Sequence, residues 1–204
     1  MTYTVKEIFL TAQGEGANLG RTAVFIRFTG CNLWSGREED RAQAVCQFCD
    51  TDFVGGSRYA TADALGDAAA ALWPTTAHRM AVLTGGEPLL QVDRPLLAAL
   101  QARGFYVAVE TNGTQRLPAP VDWLCVSPKA GAPLVLSSAD ELKLVYPQSG
   151  AEPERFVDFP AAHRWLSPMD GPARAANTQA AAAYCLAHPE WRLAIQAHKS
   201  WGIP

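Results

Sequence analysis

Three cysteines, Cys31, Cys46 and Cys49, stand in the first quarter of a 204-residue chain that holds five. Their spacing is Cys-x14-Cys-x2-Cys. Thiolates are the usual ligands of iron-sulfur clusters, and a cubane normally takes four. Three leave one iron open for a substrate or cofactor, as three protein ligands leave catalytic zinc open. The alternative is a structural zinc site completed by histidine. None of His78, His163, His188 and His198 lies close to the trio in sequence.

A second group with chemical content is Thr84-Gly85-Gly86-Glu87-Pro88, which directly follows the apolar run Met80 to Leu83. Two glycines let a backbone edge approach a ligand with no Cβ between them, and Glu87 is suited to accept from an ammonium. A tight turn closed by Pro88 is the plainer reading of the same residues.

The elements that must position these groups alternate. Strands are expected at residues 24–28, 80–83, 106–109, 124–126, 142–145, 164–166 and 193–196, and helices at 62–72, 95–103 and 178–187. A short helical turn is expected at 152–156. Nearly continuous apolar β runs suit strands buried on both faces, and their alternation with helices implies an α/β fold with a mostly parallel sheet. About six strands and three main helices are too few for a closed eight-fold barrel, so a partial, reduced (β/α) barrel is expected. Ligands of such sheets bind beyond the carboxyl ends of the strands, where Gly30-Cys31, Glu110-Thr111-Asn112-Gly113, Ser127-Pro128-Lys129, Ser167-Pro168-Met169-Asp170 and His198-Lys199 fall.

Composition narrows the class. Apolar residues make up 49% and charged residues 18%, ordinary values for a globular protein, and the length suits one domain over 1–204. A net charge of -3 gives no footprint for nucleic acid or anionic membrane. With no apolar run of spanning length and no basic leader, a cytoplasmic location is expected. In that reducing compartment the cysteines read as metal ligands or buried thiols, with Cys125 and Cys185 in core packing. The charged insert Trp34 to Val45 reads as a solvated loop.

Taken together, the trio and Gly85-Gly86-Glu87-Pro88 resemble the radical S-adenosylmethionine enzymes. Most of that superfamily has the shorter gap Cys-x3-Cys-x2-Cys. The long gap is similar to one family within it, the 7-carboxy-7-deazaguanine synthases. The likeness runs from Phe9-Leu10-Thr11-Ala12-Gln13-Gly14-Glu15-Gly16 through Arg27 to Trp34, Cys49-Asp50-Thr51-Asp52 and Pro168-Met169-Asp170-Gly171 to the ending His198-Lys199-Ser200-Trp201-Gly202-Ile203-Pro204.

The resemblance implies a reaction: 6-carboxy-5,6,7,8-tetrahydropterin is contracted to 7-carboxy-7-deazaguanine with loss of ammonia, a step towards queuosine and related deazapurines. It also implies the cofactors. A 4Fe-4S cluster sits on Cys31, Cys46 and Cys49, and S-adenosylmethionine on Gly85, Gly86, Glu87, Ser127, Pro128, Lys129, Ser167, Pro168, Met169 and Asp170, with Phe48 shielding the cluster. Ser167 stands where most relatives carry glutamine, so its contact is expected from the backbone. Magnesium is expected on the Thr51 hydroxyl with the substrate carboxylate, in keeping with how few protein groups that ion needs. The backbone of Ala12, Gln13 and Gly14 is expected against the pterin. Glu110 is suited to its guanidine-like edge and Arg27 to its anionic group, although both also suit a structural ion pair. The Gln13 and Thr84 side chains, His198 and the Pro204 terminus are further contacts. An external flavodoxin-like or ferredoxin-like electron donor and a homodimer complete the implied partners. Two readings compete: an activase of a glycyl-radical enzyme, and a zinc-stabilised binding module.

Overall fold

Along most strands every second residue is apolar and packs under helices, and the residues between them turn to the other face. In the computed structural model, which describes residues 2–204, the strands are β1 Tyr3–Ala12, β2 Thr22–Phe28, β3 Ser57–Tyr59, β4 Met80–Gly85, β5 Tyr106–Thr111, β6 Trp123–Val126, β7 Ala139–Tyr146, β8 Ala161–Pro168 and β9 Arg192–Leu193. They form one sheet in the order β3-β1-β2-β4-β5-β6-β7-β8-β9. Every pairing from β2 to β9 is parallel. β1 and β3 add an antiparallel edge. The helices are α1 Ala62–Ala71, α2 Arg94–Ala102, α3 Arg174–Ala187 and a short α4 Ala197–Trp201.

The α/β, mostly parallel reading holds, and the short turn appears as a 3-10 helix at Pro153–Phe156. Six strands was an undercount: the sheet has nine and is unclosed. β1 escaped because a bulge between Val5 and Glu7 breaks its two-residue period, and β3 has only three residues. The strand expected at 193–196 pairs only over Arg192–Leu193 before the chain turns into α4.

Val24, Ile26 and Phe28 of β2, Ala81 and Leu83 of β4, and Val107 and Val109 of β5 pack against Leu65 of α1 and Leu96, Leu97 and Leu100 of α2. Leu142, Leu144 and Leu166 pack against Ala181 of α3 and Trp191. A fully buried leucine of this kind contributes about 1.5–3 kcal/mol. The opposite, inner face has an apolar floor of Ala23, Met80, Val82 and Ala108 near the amino ends of the strands. Towards their carboxyl ends the inner positions become polar: Arg27, Thr84 and Glu110 follow the floor residues by the same period, and β7, which adds no residue to that apolar floor, turns Glu141 and Lys143 to the same face.

Helix starts are fixed by side chains. Thr61 caps α1 through Ala64 N–H at 3.1 Å. Asp93 Oδ1 accepts from Leu96 N–H at 3.0 Å and from the hydroxyl of fully buried Tyr3 at 2.6 Å. One carboxylate therefore joins α2 to β1. Asp93→Ala is predicted to cost about 2–3 kcal/mol through the lost cap and the orphaned hydroxyl, lowering Tm by about 4–12 °C for a chain of this size. An unchanged thermal melt would contradict that assignment.

Candidate active site

Beyond the carboxyl ends of the parallel strands the inner face opens into a cavity of about 510 Å³. One wall is the turn after β4. Gly86 N–H donates to Phe28 O at 3.2 Å and Glu87 N–H to Gly30 O at 2.9 Å, which straps this turn to the loop carrying Cys31. The approach leaves no room for a side chain: a Cβ on Gly86 would sit 2.1 Å from Gly30 O and 2.9 Å from the Cys31 Cβ. Gly85 adopts φ +136°, where a Cβ would lie 2.2 Å from Phe28 O. The turn therefore offers the cavity a bare backbone edge.

Glu87 differs from the expectation. Its carboxylate is fully buried and accepts from Leu89 N–H at 3.0 Å, the Thr111 hydroxyl at 2.7 Å and Asn112 N–H at 2.8 Å. Three protein donors hold it, and it is not among the residues that line the cavity, so in this structure it braces the turn. Burial pushes its carboxyl above the usual range.

Cys31, Cys46 and Cys49 all line the cavity as free thiols. The pairing of Cys46 with Cys49 pulls the Cys49 thiol down to about 6 and pushes the Cys46 thiol up. Cys31 lies near this pair, its thiol raised by burial. No three Cys, His, Asp or Glu side chains among the described residues converge on a single ion, as tetrahedral zinc with Zn–S of about 2.3 Å requires. Three thiols on one wall beside a cradle only glycine can form fit a polynuclear cluster with room for a ligand at its open corner. Phe48 lines the same wall. Thr51 lines it too, and its proximity helps hold the Cys49 thiol low.

The opposite wall holds a charge network. The Lys143 ammonium on β7 lies 2.6 Å from Glu15 and 3.1 Å from Glu110 on β5. Gln13 Nε2 donates to the other oxygen of Glu110 at 2.8 Å, and Gln196 Nε2 donates to Glu15 at 3.1 Å. Burial works against the charges of Glu15 and Lys143, but their pairing overcomes it: Glu15 is held below the usual carboxylate range and Lys143 well above the usual amine range. Adjacent Glu141 is raised by burial and accepts from Ala17 N–H at 2.9 Å.

Arg27 binds Glu7 through Nε at 2.7 Å, the ion pair the sequence allowed, and its terminal nitrogens hold no hydrogen-bond partner among the described residues. Thr84, Ala12, Gly14, His198 and Pro204 also border the cavity. Ala197 N–H donates to Gly14 O at 2.9 Å and the Thr11 hydroxyl to Pro204 O at 2.8 Å, so the chain end folds over the rim. Lys199 fastens it further by bridging Asp50 and Asp170. Ser127, Lys129, Ser167, Pro168 and Asp170 also line it, with the Lys129 ammonium on Ser127 and its pKa lowered by burial. Pro128 and Met169 do not border this cavity. Pro128 borders a separate depression, and Met169 N–H pairs with Tyr146 O at 2.7 Å.

Sequence reasoning missed Lys143 as a site residue and left Glu15 without a role. The signal was present in Glu141-Leu142-Lys143-Leu144, where charge alternates with leucine. Cys125 is buried as expected, but on the inner face, 3.5 Å from Glu141 Oε1.

No family model matches the chain. Curated relatives do, over the full length of both partners: 7-carboxy-7-deazaguanine synthase of Caulobacter vibrioides at 61% identity and that of Bordetella pertussis at 59%. Among solved structures, QueE from Escherichia coli superposes with a TM-score of 0.72 at 27% identity, covering 97% of this chain and 95% of that one. The parallel sheet with its thiol-lined rim is thus that of a radical S-adenosylmethionine enzyme. Within that class the chain belongs to the 7-carboxy-7-deazaguanine synthase family. Among the described residues no helix is long and apolar enough to cross a membrane.

Lys143→Met leaves two carboxylates buried without their cation, at a predicted cost of about 3–5 kcal/mol near neutral pH. In the wild type the lowered Glu15 contributes stability that is complete above the unfolded carboxylate pKa and lost only as pH falls through the lower folded value. Without Lys143 burial raises the folded pKa, so stability is instead lost as pH rises. The stability gap, read from urea unfolding, should therefore widen from pH 5 to pH 7.5. A small gap that does not change with pH would contradict the network.

Proposed function

We propose that this cavity holds the 4Fe-4S cluster on Cys31, Cys46 and Cys49, S-adenosylmethionine along Gly85–Gly86, and the carboxypterin between Glu110 and Arg27. The chain carries out its family's reaction, contraction of 6-carboxy-5,6,7,8-tetrahydropterin to 7-carboxy-7-deazaguanine with loss of ammonia, in the queuosine pathway. The observation that carries the residue assignment is the meeting, in one cavity, of three free thiols, a side-chain-free backbone edge and a carboxylate–guanidinium pair of walls.

The chemistry that cluster and S-adenosylmethionine supply when bound is a 5'-deoxyadenosyl radical, which takes hydrogen from C6 of the substrate and later returns it. An alkyl radical attacks nearly any C–H bond, so the protein's task is to position the substrate and exclude competitors. Glu110, oriented by Gln13 and Lys143, keeps a lone pair on each oxygen for the N–H groups of the pterin edge. Arg27, fixed through Nε by Glu7, offers its two terminal nitrogens to an anionic group. The backbone of Ala12, Gln13 and Gly14, with Thr84, His198 and the Pro204 carboxylate, closes around the ring.

Ser127, Lys129, Ser167, Pro168 and Asp170 border the side assigned to S-adenosylmethionine, with Pro128 and Met169 acting through the backbone of their loops. Phe48 shields the cluster. The Thr51 hydroxyl oxygen is assigned to magnesium, with the substrate carboxylate as the bridging ligand. We further assign one radical S-adenosylmethionine domain over 1–204, a cytoplasmic homodimer, and a flavodoxin-like or ferredoxin-like reductant.

Reconstituted, reduced protein incubated under argon with S-adenosylmethionine, magnesium and the carboxypterin is expected to yield a product lighter by one ammonia on mass spectrometry. Intact substrate after incubation with a loaded, reduced enzyme would refute the activity. Glu110→Gln is expected to weaken substrate binding about tenfold or more, the order expected for hydrogen bonds to a charged group, with S-adenosylmethionine affinity unchanged. Substrate affinity equal to wild type would remove Glu110 from the pocket.

A further inference from the structure

The fourteen residues between Cys31 and Cys46 do more than loop through solvent. Residues 35–45 are mostly exposed, but the segment rests on a fixed platform. Trp34 is 8% exposed and packs edge-on against fully buried Phe53, with ring centroids 5.5 Å apart. Its indole N–H donates to Arg37 O at 3.0 Å. A 3-10 helix at Glu38–Gln43 then carries the chain back over that ring. The guanidinium carbon of Arg41 lies 4.1 Å from the Trp34 ring centroid.

From this position Arg41 reaches the cluster turn. Its Nη1 donates to Gln47 O and to Cys49 O, both at 3.0 Å, and its Nε is held by Glu38 at 2.8 Å. The two carbonyls flank Phe48, so one nitrogen fixes the outer side of the Cys46–Cys49 turn. Gln47 returns a second tie from its side-chain amide to Ala42 O at 3.0 Å. A planar cation lying on an indole, with one nitrogen on a carboxylate and a second on two carbonyls, is an arrangement that arginine makes and lysine does not.

Resting on the cluster assignment above, we propose that Arg41 is a positioning residue for the iron-sulfur centre. Held on Trp34, it presets the Cys46–Cys49 turn and places a fixed positive charge on the Cys49 carbonyl. The Arg41 side chain is 27% exposed, whereas its partner Glu38 is 79% exposed, so solvent screens the counter-charge more than the cation. Reduction adds negative charge to a cluster, and nearby net charge sets its potential. Arg41 thus favours the reduced form. The long cysteine gap supplies the length of chain needed to bring an arginine out and back over Trp34.

The test compares wild type, Arg41→Gln and Arg41→Lys as full-length chains reconstituted without oxygen, after circular dichroism melts of the apo proteins establish folding. The readouts are the rate of iron release to a chelator and the cluster midpoint potential from an EPR-monitored redox titration. Arg41→Gln is expected to lose iron about tenfold faster, the order expected for a lost hydrogen bond to a charged donor, and to shift the midpoint to more negative potential. Arg41→Lys is expected to keep part of the midpoint while still losing iron quickly, because an ammonium cannot lie flat on the indole and reach Glu38 and both carbonyls from separate nitrogens. Wild-type iron release and midpoint in Arg41→Gln, or full rescue of both by lysine, would overturn the proposal. Failure of the wild type itself to take up a cluster would instead overturn the assignment beneath it.

Discussion

The ammonium of Lys143 lies between the carboxylates of Glu15 and Glu110, and charges buried in this way persist only when each is paired. Much of the cavity's geometry follows from that demand. Glu110 sits on β5 and Lys143 on β7, so their contact fixes the spacing across the sheet. Glu15 draws in the loop after β1, and Gln196 on Glu15 draws in the segment before α4. An unclosed sheet thereby gains a rim closed by side chains, with the Gly14–Ala197 backbone bond completing the junction.

The same two-residue period that buries leucine under the helices turns Arg27, Thr84, Glu110 and Lys143 inward. Near the amino ends this inner face is filled by Ala23, Val82 and Ala108. At the carboxyl ends it stays open and polar. The Gly85–Gly86 turn fits there because glycine alone allows its backbone to lie against Gly30 and Cys31. A reactive radical needs this kind of preset geometry more than it needs acids or bases. The residues that touch one another around the rim are accordingly tied at both ends, as Gln13 is between Glu110 and Glu15 N–H.

Much of this was legible in the sequence, for physical reasons. Buried parallel strands announce themselves as apolar runs, and the polar residues that end them had to lie at one rim. Cys31, Gly86 and Glu110 fall in those stretches, whereas Arg27 lies within β2 and was singled out only by the chemistry of the resembling family. Other features depend on partners distant in sequence. Nothing local to Glu87 says that Thr111 and Asn112 occupy its carboxylate, and nothing in the charged run Arg37 to Arg41 says that one arginine turns back onto Trp34. β1 was hidden by its bulge, and Lys143 by the leucines around it, although the alternation of those leucines was the clue.

The central claim is that three thiols on the rim hold a cluster with one iron left for S-adenosylmethionine. EPR spectra of the reduced, anaerobically reconstituted chain, recorded with and without S-adenosylmethionine, test it most directly. The account predicts a cubane signal whose shape changes when S-adenosylmethionine is added, and its loss when serine replaces any of Cys31, Cys46 or Cys49. A signal indifferent to S-adenosylmethionine, or one that survives those replacements, would contradict it.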